Sequence, residues 1–213
     1  MIGLAPEVPP RRVLALGAHP DDVEIGCGGP VLNLARDVPD VEIDVVVLTG
    51  TSDRVVEAER AAQLFAGHAL GAVSVADLPD GRLPTAWGRV KALLEGVAER
   101  SSYDLVLAPR ADDAHQDHRV VAEVVGTVWR DHVVLGYEIP KYDGDLRPAA
   151  VHVALDADTV DRKCELLHKA FPSQATRQWF DDEVFRGLAR LRGVECRSRY
   201  AEAFTCASLR IAW

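Results

Sequence analysis

Short apolar runs alternate with longer amphipathic runs along the first two thirds of the chain. Apolar, β-branched runs between turn residues predict buried strands, and a period near 3.6 residues predicts helices. The predicted strands are 13–17, 43–49, 72–76, 105–108, 133–137 and 150–155, and the predicted helices between them are 29–36, 55–65, 86–99 and 119–129. This alternation predicts βαβ units, and therefore an α/β protein whose mainly parallel sheet is covered by helices on both faces.

The last third of the chain has a different pattern. Helical periodicity over 158–170 and 181–191 is followed by two short runs, 201–205 and 207–211, which predict edge strands or a closing hairpin. Residues 141–148 are rich in turn formers and follow a strand, so they are expected to form an exposed loop, a candidate lid. At 213 residues, the chain is expected to fold as one domain, 1–213.

Composition excludes several classes of function. The chain carries 33 acidic and 24 basic residues, which argues against a nucleic-acid or anionic membrane surface. The four cysteines form no CxxC pair, so free thiols in a reducing compartment are expected. The N-terminal residues lack the apolar core of a signal peptide, and no run approaches the roughly 20 apolar residues of a membrane span. A cytoplasmic protein is predicted, and a homo-oligomer is compatible with the sequence.

Histidines and carboxylates follow two of the predicted strands. His19 and Asp22 come directly after the first strand, and the cluster 115–118, which ends at His118, follows the strand 105–108. In an open α/β sheet, ligands bind outside the carboxyl ends of the strands, near the reversal of strand order. A catalytic zinc usually takes three protein ligands and leaves one position for water. We therefore predict a zinc site on His19, Asp22 and His118; the same donors would also suit ferrous iron.

The remaining polar side chains of these clusters suggest an acid/base role. Asp21 lies beside a predicted ligand on an irregular turn, and we predict that it faces the metal-bound water as general base. A bound metal lowers the pKa of that water to about 7, so a carboxylate can complete its deprotonation. His115 is expected to stabilise an oxyanion or to protonate the departing amine. Asp117 is expected to orient one of the histidines.

Each cluster also has a simpler interpretation. Asp21 or Asp22 alone would be typical of a capped turn, and the 115–118 cluster alone would be typical of an acidic helix N-terminus. Asp112 and Asp113 are interpreted as solvated loop charges. The glycines in 26–29 do not fit a dinucleotide-binding motif and are interpreted as backbone room beside the metal loop. Two such clusters at two strand ends make the simpler interpretations improbable together.

The two clusters resemble the motifs of a known family. Residues 18–29 read Ala-His-Pro-Asp-Asp-x-Glu-x-Gly-Cys-Gly-Gly, and His-Gln-Asp-His follows at 115–118; further agreement lies at 54–57, 136–140, 171–174 and 200–204. This pattern is similar to that of the LmbE-like, or PIG-L, family of zinc-dependent N-acetylglucosamine deacetylases. The resemblance implies a Rossmann-like, three-layer αβα fold and one zinc on His19, Asp22 and His118. It also implies that Asp21 is the general base and that His115 assists at the oxyanion, with Asp117 supporting the histidines.

The function that follows is hydrolysis of an amide. The resemblance implies removal of the N-acetyl group from a 2-acetamido sugar or sugar conjugate, in glycoconjugate or natural-product biosynthesis. A larger acyl amide or a thiol-conjugate amide is an alternative substrate for the same centre, and a non-catalytic glycan-binding module is a third interpretation, although all its predicted ligands are present.

Three residues are candidate substrate contacts. Arg54 could bind a hydroxyl or an anionic aglycone, or it could pair with Glu57 or Glu59. Glu138 could accept hydrogen bonds from sugar hydroxyls, or it could form a structural salt bridge. Tyr142, on the candidate lid, could contact the substrate or face water.

Overall fold

The structure is a computed structural model that describes residue 3 and residues 5–210. Strands and helices alternate through most of this range. The strands are β1 (Arg12–Gly17), β2 (Glu42–Thr49), β3 (Leu70–Leu78), β4 (Leu105–Pro109), β5 (Val133–Tyr137), β6 (Val151–Leu155) and β7 (Tyr200–Thr205). The helices are α1 (Asp22–Asp37), α2 (Ser52–Ala66), α3 (Trp87–Arg100), α4 (Gln116–Val128), α5 (Ala157–Ala170) and α6 (Asp182–Cys196). Short 3-10 turns occupy Gly67–Ala69, Leu83–Ala86 and Pro172–Gln174.

The strands form one seven-stranded sheet in the order β3-β2-β1-β4-β5-β7-β6. The five strands from β3 to β5 pair in parallel, and β7 pairs antiparallel with both β5 and β6. The chain winds outward from β1 to β2 and β3 on one side, and through β4 to β5 on the other. The strand order therefore reverses between β1 and β4, where the carboxyl ends of the strands leave a crevice.

Two apolar layers cover the sheet, one on each face. Alternate residues of β1 divide between them, because successive side chains of a strand point to opposite faces. Val13 and Ala15 belong to the layer that contains α1, α2, α5 and α6, whereas Leu14 and Leu16 belong to the layer that contains α3 and α4. The predicted fold class, a Rossmann-like αβα arrangement with a mainly parallel sheet, is confirmed.

Helix α1 begins at Asp22, seven residues before the predicted start. Glycine is a weak helix former, so the glycines in 26–29 hid this first part of the helix from sequence analysis. They lie within the helix and do not provide space beside a loop. A Cβ at Gly26 would lie 2.1 Å from Cδ2 of Tyr137, and one at Gly29 would lie 2.5 Å from Cδ1 of Leu155. These glycines let the helix lie directly against neighbouring side chains, and this packing overrides helix propensity.

The C-terminal strands also differ from the prediction. Residues 201–205 do form a strand, but β7 lies inside the sheet between β5 and β6 rather than at its edge. Residues 207–210 are irregular and residue 211 lies outside the described residues, so no closing hairpin forms in the described chain. Glu202, on this strand, is buried, and its carboxylate pairs with Lys163 at 2.6 Å.

Two expectations from composition concern the cysteines and the membrane. The four cysteines all lie within the described residues and are free thiols. Within residue 3 and residues 5–210, no helix combines the length and the apolar character that crossing a membrane requires.

Candidate active site

The predicted site residues meet at the carboxyl ends of β1 and β4, where the strand order reverses. The loop after β1 carries His19, and the first turn of α1 carries Asp22. His118 lies in the first turn of α4, which follows β4. These side chains border a cleft of about 530 Å³, which is also lined by the segments that follow β2, β3, β5 and α5. Because β1 and β4 are neighbours, residues about a hundred positions apart in the chain come into contact.

Three donor atoms form a compact triangle in this cleft. Nδ1 of His19 lies 3.2 Å from Nε2 of His118 and 3.5 Å from Oδ2 of Asp22, and the latter two atoms are 3.3 Å apart. Tetrahedral zinc with ligands at about 2.0–2.1 Å would hold its donors about 3.3 Å apart. The three predicted ligands therefore fit a tetrahedral divalent ion and leave one position for water or substrate.

A carboxylate lies beside the second ring nitrogen of each of these histidines. Nε2 of His19 lies 3.2 Å from Asp117 and also 3.2 Å from Asp80. Nδ1 of His118 lies 3.0 Å from Asp113. Carboxylates in this position fix the tautomer and ring orientation of a metal-binding histidine and raise its basicity.

Asp113 is the most important of the residues that sequence analysis misjudged. The interpretation of Asp113 as a solvated loop charge is wrong, because the residue is only 2% exposed. Besides facing His118, it accepts a hydrogen bond from the backbone N–H of His115 at 2.7 Å and pairs with Lys141 at 2.9 Å. Its neighbour Asp112 is half exposed and pairs with Arg110, so it matches the sequence-based interpretation more closely. Two adjacent aspartates give no sequence signal as to which one turns inward.

The field of these carboxylates strongly favours a cation. Burial alone would lower the pKa of His19, but Asp22, Asp117 and Asp80 outweigh it and raise the pKa to about 12. Burial likewise opposes the charged form of His118, and nearby carboxylates raise its pKa to about 9. A pocket that holds protons this tightly has the negative potential that a divalent ion requires.

Asp21 has a different environment from its neighbour Asp22. It occupies the N-cap position of α1 with φ of 112°, in the left-handed region that a residue with a side chain seldom adopts. Within the described chain its carboxylate makes no capping hydrogen bond, so the simple capped-turn interpretation does not hold. Oδ2 instead accepts a hydrogen bond from Arg54 at 2.7 Å, and burial raises the pKa of Asp21 to about 7 against the opposing charge of Arg54. Backbone strain of this kind is typical of functional sites.

His115 completes the histidine cluster. Its ring centroid lies 4.8 Å from those of both His19 and His118, and one nitrogen of each ring lies within 4.8 Å of the others. Nδ1 of His115 accepts a hydrogen bond from the backbone N–H of Asp117 at 3.2 Å, so the neutral ring carries its proton on Nε2. Burial and the neighbouring His118 lower the pKa of His115 and keep the ring neutral. His115 therefore offers the cleft a neutral N–H donor.

Asp117 connects the site to the loop before α3. Its carboxylate is fully buried and accepts hydrogen bonds from the backbone N–H groups of Gly81 and Leu83, at 2.7 and 3.0 Å. The same carboxylate lies 3.2 Å from Nε2 of His19, and the orienting role expected of Asp117 stays a prediction. Asp80, which sequence analysis did not single out, is held beside His19 by this anchored loop.

Of the three candidate substrate contacts, only Arg54 lines the cleft. Its guanidinium binds Asp21, the carbonyl oxygen of Pro20 and, at 2.6 Å, Glu57, so the cleft position and the proposed pairing with Glu57 are both present. Glu138 is buried behind the cleft in a two-bond pair with Arg192 at 2.6 and 2.7 Å, which matches the salt-bridge alternative rather than a sugar contact. Tyr142 is 69% exposed and projects into solvent.

Part of the cleft lining comes from residues that sequence analysis did not place in the site. Gln174, Arg177 and Trp179 line the cleft from the segment between α5 and α6. The segment is firmly anchored, because Ser173 donates two hydrogen bonds to Glu57 at 2.7 and 2.9 Å. An irregular segment has no periodicity to mark which of its side chains face a cleft.

Similarity to known proteins assigns the class. The deacetylase YaiS of Escherichia coli (strain K12), itself described as uncharacterized, is 30% identical over 143 residues, which cover 61% of this chain and 75% of YaiS. This relative and the family match that follows together identify the chain as a hydrolytic N-deacetylase. A family model described as PIG-L, GlcNAc-PI de-N-acetylase, matches residues 14–129, more than half of the chain. The chain belongs to the PIG-L family, as its two motifs predicted.

Solved structures share the fold at low sequence identity. The N,N'-diacetylchitobiose deacetylase from Pyrococcus horikoshii is 21% identical with a TM-score of 0.71, over 92% of this chain and 84% of its own. The conserved protein TT1542 from Thermus thermophilus is 21% identical with a TM-score of 0.76, over 94% and 97%. Teicoplanin deacetylase Orf2, in a zinc-inhibited form, is 12% identical with a TM-score of 0.72, over 92% and 97%.

Proposed function

We propose that this chain removes the N-acetyl group from a 2-acetamido sugar or sugar conjugate, releasing acetate and a free amine. The observation that carries the proposal is the donor triangle of His19, Asp22 and His118, because it opens into the same cleft as Asp21 and His115. This combination provides a metal site, a carboxylate base and an N–H donor, which are the groups that hydrolysis of an amide requires.

His19, Asp22 and His118 would hold the metal, with zinc favoured by the tetrahedral spacing and ferrous iron as the alternative. When bound, the ion supplies electrophilic activation and lowers the pKa of a coordinated water. The rest of the chemistry belongs to side chains. Asp117, Asp80 and Asp113 hold the two histidine rings in place, so little reorganisation accompanies the reaction.

Asp21 accepts the proton of the attacking water. Its 2.7 Å hydrogen bond to Arg54 fixes the orientation of the carboxylate and leaves the second oxygen for water. The same carboxylate can then deliver the proton to the departing amine, since a group that has taken up a proton in one step is the natural acid for the next. Arg54 therefore serves primarily to position Asp21.

His115 stabilises the negative charge that develops on the amide oxygen. Its Nδ1 is occupied by the backbone N–H of Asp117, and its Nε2 proton remains as a donor at the cleft. A fixed donor of this kind is worth about 10²–10³ in turnover in other hydrolases.

The cleft supports a sugar-sized substrate. Its volume of about 530 Å³ falls within the 300–1,000 Å³ that is typical of small-molecule sites. Trp179 and Gln174 both line the cleft, and an aromatic ring together with an amide suits a sugar ring. The similarity to proteins described as N,N'-diacetylchitobiose and teicoplanin deacetylases supports the same substrate class.

The test is a panel of amides assayed with defined metal content. Protein stripped with a chelator and reloaded with Zn²⁺ or Fe²⁺ is assayed for amine release from N-acetylglucosamine, N,N'-diacetylchitobiose, an aryl N-acetylglucosaminide and the corresponding longer acyl amides. Asp21→Asn is expected to lower turnover by about 10²–10⁴-fold, whereas Asp131→Asn, an exposed residue in the turn after α4, serves as the matched control. Unchanged turnover in Asp21→Asn would refute its role, and preference for the longer acyl amides would favour the broader amidase alternative.

A further inference from the structure

Helix α1 is broken in its first third. Cys27 has φ of −143° and ψ of 21°, outside the helical region, so the helix consists of a first turn that carries Asp22 and a longer second part. Sharp breaks in helices have identifiable causes, such as proline or a group inserted into the hydrogen-bond ladder. Pro30 follows the break, three residues later, and a buried ion pair occupies the ladder beside it.

The ion pair connects Lys163 of α5 with Glu202 of β7. Nζ of Lys163 donates to Oε1 of Glu202 at 2.6 Å and to the carbonyl oxygen of Ile25, also at 2.6 Å. The backbone N–H of Gly29 donates to the same Oε1 at 3.2 Å. In a regular helix, the N–H of Gly29 and the carbonyl of Ile25 would bond to each other. The ion pair therefore stands between the donor and the acceptor of one ladder bond and satisfies both.

The pair is buried, and a contribution to stability does not explain why it is present. Lys163 and Glu202 are each 7% exposed, and Oε2 of Glu202 has no hydrogen-bond partner among the described residues. Removing two charges from water is expensive, and apolar replacements of such pairs are often neutral or stabilising. A carboxylate that directs one oxygen at two donors and leaves the other unpartnered is arranged for geometry rather than for maximal attraction.

We propose that Lys163 and Glu202 are positioning residues for the metal site: they hold the break in α1 open and thereby fix the direction of its first turn, which carries Asp22. Their contacts reach Ile25, on that turn, and Gly29, on the far side of the break. The inference rests on the proposed metal-dependent function, because Asp22 is one of the three predicted ligands. The pair itself lies away from the donor atoms and reaches them only through the helix backbone.

Zinc affinity of the full chain tests this proposal without any substrate. Protein stripped of metal is titrated with Zn²⁺ against a chromophoric chelator, and unfolding in urea is measured on the same samples. In Lys163→Met/Glu202→Leu, the N–H of Gly29 and the carbonyl of Ile25 can close their ladder bond and redirect the first turn. We expect the Kd for Zn²⁺ to rise at least tenfold while the urea midpoint stays close to that of the parent chain.

A second pair of variants separates geometry from charge, and urea unfolding of the same samples measures what the loss of the carboxylate costs in stability. Glu202→Gln keeps an oxygen that can accept from both Lys163 and Gly29, so its Kd is expected to stay within about threefold of the parent. Glu202→Asp keeps the charge but is one methylene too short to reach both partners, so its Kd is expected to rise clearly above that of Glu202→Gln. Tyr103→Phe is the control, because it removes a buried hydrogen bond to Asp44 outside the cleft. That variant should lose stability and retain zinc affinity.

The outcomes distinguish this inference from the proposed function. Parental zinc affinity in the double variant, or equal affinities in Glu202→Gln and Glu202→Asp, would overturn the positioning role and leave the proposed function intact. Failure of the parent chain to bind Zn²⁺ or Fe²⁺ would overturn the metal-dependent function and this inference together. Loss of zinc affinity in Tyr103→Phe would mean that affinity merely follows stability, which also overturns the positioning role.

Discussion

Replacing Asp113 by asparagine removes the charge that lies 3.0 Å from Nδ1 of His118. Asparagine can preserve the shape of the loop, because its side-chain oxygen can still accept from the backbone N–H of His115. It cannot preserve the negative charge that makes the His118 ring a stronger donor on its opposite nitrogen. The change therefore acts on metal affinity more than on the position of the residues.

The magnitude follows from the role of the carboxylate. Loss of a carboxylate that supports a metal-binding histidine costs about 10–100-fold in affinity, which corresponds to about 1.4–2.7 kcal/mol. Lys141 loses one carboxylate in the variant but keeps Asp145 at 3.1 Å, so the buried cation retains a partner. We therefore expect a large change in the Kd for zinc and only a modest change in the free energy of unfolding.

Competition with a chromophoric chelator measures this Kd directly, and urea unfolding of the metal-free protein measures the stability. The adjacent Asp112 supplies a matched control, because it has the same charge on the same loop but its side chain is 49% exposed and pairs with Arg110. Asp112→Asn should leave the Kd within about twofold, because its carboxylate pairs with Arg110 and not with a histidine of the site. Equal zinc affinities in the two variants would refute the reasoning.

Four further predictions concern the cleft, the fold and the metal. In steady-state kinetics, Trp179→Ala should raise KM for sugar amides more than it lowers kcat, whereas Trp87→Ala on α3 should leave KM unchanged. Equal effects of the two variants on KM would exclude a substrate contact by Trp179. Gly26→Ala should lower the free energy of unfolding in urea by about 1–3 kcal/mol, because its Cβ would lie 2.1 Å from Tyr137. Gly187→Ala should not destabilise the protein, because no atom of the described residues lies within 4 Å of its Cβ. Burial and the hydrogen bond to Asp44 raise the pKa of Tyr103 to about 12. The contribution of Tyr103 to stability is therefore present below about pH 10 and is lost as the pH rises through about 12. In a titration of tyrosine absorbance at 295 nm, the step near pH 12 should be absent from Tyr103→Phe. Zinc at a hundred times its Kd should stabilise the parent chain by about 2.7 kcal/mol, and an unchanged melting temperature would contradict the site.

The centre of the sheet was predictable because β1 and β2 are buried on both faces. Apolar, β-branched runs such as 45–48 indicate an interior parallel strand, and the reversal of strand order then determines where ligands can meet. The common location of His19, Asp22 and His118 could be predicted for the same reason, because each lies in a segment that follows one of those runs. The prediction needed only the strand ends and the preference of zinc for histidine and carboxylate donors.

The errors arose where a residue's environment depends on distant parts of the chain. Gly26 and Gly29 are unfavourable in an isolated helix, and only contacts with Tyr137 and Leu155 make them suitable in α1. Glu202 resembles a solvent-facing residue of an edge strand until Lys163, 39 positions away, is brought against it. Local periodicity contains no information on such contacts, so it shifted the start of the helix and misplaced the strand.

The charges around the candidate metal centre show why its carboxylates had to be divided among different roles. Asp21 and Asp22 are adjacent and both buried, an arrangement that is costly unless each carboxylate meets a positive charge of its own. Asp22 lies beside His19 and His118, whereas Asp21 accepts a hydrogen bond from Arg54 at 2.7 Å. Asp21 has φ of 112°, whereas Asp22 begins helix α1, and the two carboxylates meet different partners. Under the proposed function, this division leaves one carboxylate for the metal and the other for the base.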